Sequence, residues 1–190
     1  MKKILLAFIM FIAFSQANAQ YHPMLGDTTR WCHAFSGVPV RSLYYLDKLA
    51  AYADTAIGAN MYKRMWTDAS WPSIDIAAIR EDTASQKVYI YLYEDNTEYL
   101  MYDFSLNLGD TIYYAMPYSS WGYANPGFYI VDSVATVNIR TGPRKYMRLY
   151  NPLNTMTDYN GNVFKPEIIE SVGELHSVVS HLPIYIRNGV

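Results

Sequence analysis

The chain is poor in charged residues and in cysteine, and each shortage excludes a class of protein. Charged residues make up 17% of its 190 residues and the formal net charge is −2, so no basic surface for nucleic acid is expected. A composition that is 51% hydrophobic and 16% aromatic excludes a disordered chain. The single cysteine rules out an intramolecular disulfide, so a packed core must supply the stability. The length favours one domain.

The sequence also lacks the short motifs of common catalytic and metal sites. It contains no H-E-x-x-H or paired-cysteine zinc pattern, no Gly-x-Ser-x-Gly nucleophile, no phosphate-binding loop and no calcium loop. Cys32 and His33 suggest a thiol and its base, but neighbours on a strand point to opposite faces. We therefore interpret Cys32 as a buried structural residue, and we predict no catalytic residue, no metal site and no cofactor.

Acidic residues are the remaining candidates for catalytic groups, because paired carboxylates carry out glycoside hydrolysis. Two groups lie close together in the sequence: Glu167, Glu170 and Glu174 form one, and Asp103 and Asp110 flank a predicted turn. Nothing in the sequence sets the distance between any two of them. We interpret these residues as solvated charges at strand ends, and a glycoside hydrolase-like enzyme stays an alternative.

Only the N-terminus carries a long apolar run. Lys2 and Lys3 precede an unbroken apolar stretch over residues 4–14, and Ala17-Asn18-Ala19 has the form of a cleavage site. This pattern predicts a signal peptide over residues 1–19 and a single domain over residues 20–190. The run is too short for a membrane span, and none is expected elsewhere. We expect an exported protein that is periplasmic, on the cell surface or extracellular.

A period of two residues dominates the rest of the chain. Residues 88–93 alternate aliphatic side chains with tyrosines, which a strand sorts onto opposite faces. Further strands are predicted over residues 41–46, 48–56, 61–67, 74–80, 98–104, 111–115, 127–138, 145–150 and 163–172. The alanines of residues 50–59 favour a helix, but Gly58-Ala59-Asn60 resembles a hairpin turn, and we prefer the strand. The predicted fold is all-β, an antiparallel meander that forms a barrel-like or a two-layer sandwich domain.

An aspartate followed by threonine or serine recurs along the chain. The simplest interpretation is that Asp-Thr marks turn edges, since Asp caps turns and Thr opens strands. The tripeptides also resemble the general O-glycosylation sequon of secreted Bacteroidetes proteins. The candidate O-glycosylation sites are Thr28, Thr55, Thr83, Thr111 and Ser133.

Several segments resemble uncharacterised small secreted Bacteroidetes proteins. Residues 98–111, with the sequence EYLMYDFSLNLGDT, are similar to that group's "EYLLYDFSLNVGDT" segment, and residues 47–67 resemble its Asp-Thr hairpin. Residues 79–82, Ile-Arg-Glu-Asp, resemble its "VRED" strand end, and residues 170–173 resemble its closing "E-x-[IV]-G". Larger members often continue into a type IX secretion sorting domain, which is not expected in this sequence. The resemblance implies export and supplies neither an activity nor catalytic residues.

Aromatic residues are abundant, with 19 Tyr, 7 Phe and 4 Trp. The tyrosines of residues 88–93 either fill a half-buried sheet face or line a concave surface that meets a sugar or a peptide. Two predicted loops concentrate further aromatics, which either cap an open end of the domain or act in recognition. The candidate ligand-binding residues in and beside these loops are Trp66, Trp71, Tyr118, Trp121 and Tyr123.

These features predict a secreted, non-catalytic binding or interaction module. Its partner is expected to be a glycan or a protein, with carbohydrate as the first choice, and no nucleic acid is expected. The main alternative is a structural component of the cell envelope or surface, in which the aromatic residues all belong to the core.

Overall fold

The computed structural model describes residues 21–26, 29–36, 43–67, 74–115, 127–153 and 165–174. All regular structure in these residues is β-strand, and all strand pairs are antiparallel. The described part of the chain therefore contains no helix that could cross a lipid bilayer. The predicted signal peptide, residues 1–19, lies outside the described residues.

Two sheets contain all the described strands, and in each of them neighbours in sequence are neighbours in space. The six-stranded first sheet has the order β1 (Thr29–Ser36), β2 (Leu43–Ile57), β3 (Asn60–Thr67), β4 (Ile74–Asp82), β5 (Lys87–Leu92) and β6 (Thr97–Asp103). The five-stranded second sheet has the order β7 (Thr111–Tyr114), β8 (Gly127–Ile139), β9 (Gly142–Tyr150), β10 (Glu167–Ile169) and β11 (Gly173–Glu174). The predicted all-β antiparallel meander is confirmed, in its two-sheet form.

Alternation along the strands places the core between the sheets. Val88, Ile90 and Leu92 of β5 are buried while the tyrosines between them are not, as the sequence period predicts. One hydrophobic cluster joins these residues to Ile112 of β7 and Leu149 of β9 in the second sheet. Burial of apolar side chains from both sheets, without a disulfide, is thus the main source of stability.

The ambiguous stretch over residues 50–59 belongs to a strand. Gly58 adopts a positive φ of 59° in the turn between β2 and β3, and residues 54–57 pair with β3, which excludes the helical alternative. The strands predicted over residues 41–46 and 48–56 are one continuous strand, β2, with a bulge between Ala51 and Asp54. The strand predicted over residues 163–172 is observed only as the three residues of β10.

The recurring Asp-Thr and Asp-Ser pairs occupy two kinds of position. Thr83 lies in the β4–β5 turn and Thr111 begins β7, as expected for turn edges. Thr55 and Ser133 instead lie inside long strands, each beside a β-bulge. The turn-edge interpretation is therefore wrong for these two copies. A β-bulge interrupts the ladder of hydrogen bonds between strands, as a turn does, so a polar residue is also accommodated beside it. Thr28 lies outside the described residues.

Residues 21–26 precede the first strand and pack against the core. The Met24 side chain is buried, and the Tyr21 ring lies 6.0 Å from the Phe104 ring. Gly173 provides the space for Met24: a Cβ at this position would lie 3.1 Å from Met24 Cε and 3.2 Å from the Tyr102 hydroxyl. Its φ of +93° also disfavours any side chain.

The first prediction compares two glycines of similar backbone conformation. Gly173→Ala introduces both backbone strain and crowding against Tyr102, so we expect a loss of about 2–4 kcal/mol in unfolding free energy. Gly109→Ala is the matched control, because φ is +87° there and nothing lies within 4 Å of the added Cβ. It should cost only about 1 kcal/mol. Urea unfolding measures both, and equal losses would contradict the role of crowding.

Candidate functional site

The outer face of the first sheet carries a continuous group of tyrosine and arginine side chains. We call it the tyrosine face; it comprises Tyr52, Tyr62, Arg64, Arg80, Tyr89, Tyr91, Tyr93 and Glu98. Most members alternate along their strands with core-facing residues, while Tyr52 lies at the β2 bulge beside buried Ala51 and Tyr93 directly follows β5. Strand register brings the members together, because Arg80 pairs with Tyr89 and Tyr91 pairs with Glu98.

Three of the tyrosine rings form a row across the sheet. The ring centroids of Tyr62 and Tyr91 are 6.0 Å apart and those of Tyr91 and Tyr93 are 5.9 Å apart, both in edge-to-face geometry. Ala78 of β4 lies between β3 and β5, in register with both Arg64 and Tyr91. Because its side chain is small and buried, the larger side chains on either side can meet above it. Edge-to-face contacts of this kind fix the ring orientations.

Arg80 contacts three other members of the tyrosine face. Its guanidinium group lies 4.0 Å from the centre of the Tyr89 ring and 5.8 Å from that of Tyr62. The same group donates two hydrogen bonds to Glu98, at 2.5 Å from Nε and 2.7 Å from Nη2. The Tyr62 hydroxyl donates a third hydrogen bond to this carboxylate. Two aromatic faces and a bidentate ion pair therefore hold one arginine in a single position.

The ionisation of this group follows from its contacts. Burial and the hydrogen bond to Glu98 raise the pKa of Tyr62, so its hydroxyl stays protonated and acts as a donor. Burial alone would raise the pKa of Glu98, but the hydrogen bonds from Arg80 and Tyr62 outweigh it and lower that pKa below its ordinary value. Glu98 is therefore a charged acceptor.

The accessible part of the face lies on both sides of Arg64. The guanidinium carbon of Arg64 is 5.7 Å from the centre of the Tyr52 ring, and its charge also acts on Tyr93, where it opposes the rise in pKa that burial causes. The exposed fractions of Tyr52 and Tyr93 are 41% and 36%. Large aromatic side chains held at this exposure by their neighbours present ready-made contact area to a ligand.

A groove adjoins the tyrosine face at the β2–β3 hairpin. It has a volume of about 400 Å³ and is lined by residues that include Leu25, Met61, Tyr62, Lys63, Arg80 and Glu81. Tyr62 and Arg80 thus belong to both the face and the groove. Charges of both signs line it, and Lys63 Nζ lies 3.0 Å from Asp54 in an ion pair.

Two acidic residues interpreted as solvated from the sequence are buried. The exposed fractions of Asp103 and Glu170 are 6% and 4%. Asp103 pairs with Lys87 at 3.3 Å and accepts the backbone N–H of Ser105 at 3.0 Å. Glu170 accepts hydrogen bonds from the distant backbone N–H groups of His22 and Lys145. Burial of either carboxylate without such partners would be too costly. Of the other three, Asp110 is exposed, Glu167 is half-buried and the Glu174 side chain lies outside the described part.

The sequence-predicted ligand residues are mostly outside the described part of the chain. Trp66 belongs to β3, two positions after Arg64. The other four, Trp71, Tyr118, Trp121 and Tyr123, lie in residues 68–73 and 116–126, which the structure does not describe. Among the candidate glycosylation residues, Thr83 and Thr111 are exposed, whereas Thr55 and Ser133 are half-buried.

Sequence reasoning missed the arginines and Tyr62. The alternation of residues 88–93 predicted Tyr89 and Tyr91 of β5 and Tyr93, which directly follows the strand. The register between β3, β4 and β5, which brings Arg64 and Arg80 to them, has no signal in a single sequence.

Neither a metal-binding group in the described residues nor a known relative indicates the function. Within the residues that the structure describes, no group of three or more His, Cys, Asp or Glu side chains is arranged to hold a metal ion. Comparison with protein-family models, curated proteins and solved structures finds no match to this chain.

The second prediction concerns acid stability. The pKa of Glu98 is lower in the folded state than in the unfolded state, where it is about 4.3. Ionised Glu98 therefore stabilises the fold above the unfolded pKa, and this stabilisation is lost as the pH falls through the folded pKa. Glu98→Gln should therefore lose less stability than the parent between about pH 6 and about pH 3. Urea unfolding at the two pH values measures this difference, and equal losses would show that Glu98 contributes nothing.

Proposed function

We propose that this protein is an exported, non-catalytic binding module that holds a glycan on the tyrosine face. The observation that carries the proposal is the pair of exposed rings, Tyr52 and Tyr93, on either side of Arg64. A sugar ring has an apolar C–H face and a polar rim. Aromatic rings pack against the first, while phenol hydroxyls and a guanidinium group hydrogen bond to the second.

The rigidity of the face supports a binding role. Tyr62, Tyr89 and Tyr91 are fixed by ring contacts and by Arg80, so few side-chain rotamers remain to be frozen when a ligand binds. Ordering flexible side chains is one of the principal costs of association. Exposed rings on a sheet that is already ordered avoid much of this cost.

The charges around the face favour an uncharged glycan. Arg80 is neutralised by Glu98 through a bidentate pair, and in the groove Lys63 is paired with Asp54. A charged sugar would have to compete with these internal partners for hydrogen bonds. The same engagement supports a non-catalytic role, because carboxylates that already accept several hydrogen bonds are poorly placed to transfer protons.

The aromatic loops of the sequence extend the same proposal. Tyr62, Arg64 and Trp66 occupy every second position of β3, and Trp71 follows in the connection to β4. Tyr118, Trp121 and Tyr123 belong to the connection between β7 and β8 in the second sheet, and we propose them as a separate contact region.

A second candidate function is a structural role at the cell surface. It is favoured by Tyr113 and Phe128 on the outer face of the second sheet, whose rings lie 4.8 Å apart and whose exposed fractions are 52% and 57%. An exposed phenylalanine and tyrosine in contact suit burial against another protein.

The third prediction tests the tyrosine face. Tyr52→Ala and Tyr93→Ala should each weaken the binding of neutral oligosaccharides by about tenfold or more, because each removes exposed stacking area. Titration calorimetry against neutral and uronic acid-containing oligosaccharides measures the affinities. Tyr113→Ala is the matched control, since it removes an exposed tyrosine from the other sheet and should leave the affinity unchanged. Equal losses in all three variants, or preference for the uronic acids, would contradict the proposal.

The fourth prediction separates the loop from the face. If the connection between β7 and β8 also contacts the ligand, the parent shows a saturable change in tryptophan fluorescence with oligosaccharide that Trp121→Ala lacks. Calorimetry of Trp121→Ala should then show an affinity about tenfold weaker. An unchanged affinity, with reduced thermal stability, would place Trp121 in the packing of the domain.

A further inference from the structure

The segment before the first strand, residues 21–26, is held by side chains from both sheets. We call this segment the N-terminal strap. It forms no strand in the described structure, yet Tyr21, His22, Met24 and Leu25 all make polar contacts to two glutamates. Glu81 belongs to β4 of the first sheet, and Glu170 follows β10 of the second. The strap thus bridges the sheets.

Glu81 binds the strap through three donors. Its carboxylate accepts the backbone N–H of Met24, at 2.9 and 3.0 Å from its two oxygens, and the N–H of Leu25 at 2.9 Å. It also accepts the hydroxyl of Tyr21. Burial and this bond raise the pKa of Tyr21, so the hydroxyl remains a donor. One carboxylate with three donors is a strong, charge-assisted clamp.

Glu170, which follows β10 of the second sheet, binds the backbone N–H of His22. One of its oxygens accepts the backbone N–H of His22 at 2.7 Å, and the other accepts that of Lys145 at 3.1 Å. Pro23 has no N–H. Every backbone donor from His22 to Leu25 is therefore satisfied by a glutamate, in the way that a sheet edge would satisfy an added strand.

The strap also has two apolar anchors. Tyr21 packs against the ring of Phe104, and Met24 is buried at the space that Gly173 leaves open. Both anchors and both clamps recognise features that an unconnected peptide of the same sequence retains: main-chain N–H groups, a phenol and a thioether. None of these contacts depends on the covalent connection to β1.

We infer that Glu81, Glu170, Phe104 and Gly173 form a peptide-binding site, and that its ligand is the chain's own strap, a Tyr-x-Pro-Met-Leu segment. The site accepts that segment when it is supplied separately. Neither Tyr52 nor Tyr93 contributes a contact to it, so failure of this inference and failure of the glycan proposal are distinguishable.

Cleavage within the folded full chain tests the inference directly. A protease recognition sequence is inserted between Asp27 and Thr28, and the chain is cut after folding. The strap should remain bound through gel filtration, detected by intact mass, and should be lost when the same chain carries Glu81→Gln. A cut strap that leaves while the rest stays folded would overturn the inference.

A second measurement uses the uncut chain, so that unfolding on cleavage cannot obscure the result. Met24→Ala weakens the resident strap, and a fluorescent peptide with the sequence Tyr-His-Pro-Met-Leu-Gly should bind this variant with saturable anisotropy. The peptide with alanine in place of methionine should bind at least about tenfold more weakly. The peptide with alanine in place of histidine is the control and should bind equally, because His22 contributes its backbone N–H. No binding up to about 1 mM peptide would overturn the inference.

Discussion

Buried and half-buried carboxylates are the constraint on which the arrangement of the two sheets depends. No disulfide is available to join them, and apolar burial alone does not fix how one sheet sits on the other. At one end of the described structure, Glu81 and Glu170 converge on residues 21–26 from opposite sheets. Lys145 of β9 donates to the carbonyl groups of Phe104 and Leu106, just after β6. A charge that is partly or wholly withdrawn from water needs hydrogen-bond partners, so these contacts hold the two sheets in place.

In the tyrosine face, too, one charged side chain holds its neighbours in position through its polar contacts. Arg80 donates two hydrogen bonds to Glu98 and lies against the rings of Tyr89 and Tyr62. The rings beyond this group, Tyr52 and Tyr93, are left at the surface. An ordered centre with exposed rings at its border is the arrangement expected of a preformed binding surface.

The sequence predicts features that one strand or one turn decides by itself. The two faces of β5 follow from the alternation of residues 88–93, and the hairpin after β2 follows from Gly58. Burial of Glu170 could not be predicted, since its partner His22 is 148 positions away. The contact of Arg80 with Tyr89 is likewise a matter of register between β4 and β5, which alternation does not specify.

The end of β4 shows how closely the two surfaces are linked. Ile79 is buried in the core, Arg80 points outward to the tyrosine face, and Glu81 turns inward to residues 21–26. Asp82 then caps the turn by accepting the N–H groups of Ala84 and Ser85 at 3.1 and 3.2 Å. A shift of one residue in this strand would exchange Arg80 and Glu81 between the faces, and would place a cation against the backbone N–H groups and an anion against the rings. The register of β4 is therefore fixed by the polar residues on both sides, and not by apolar burial alone.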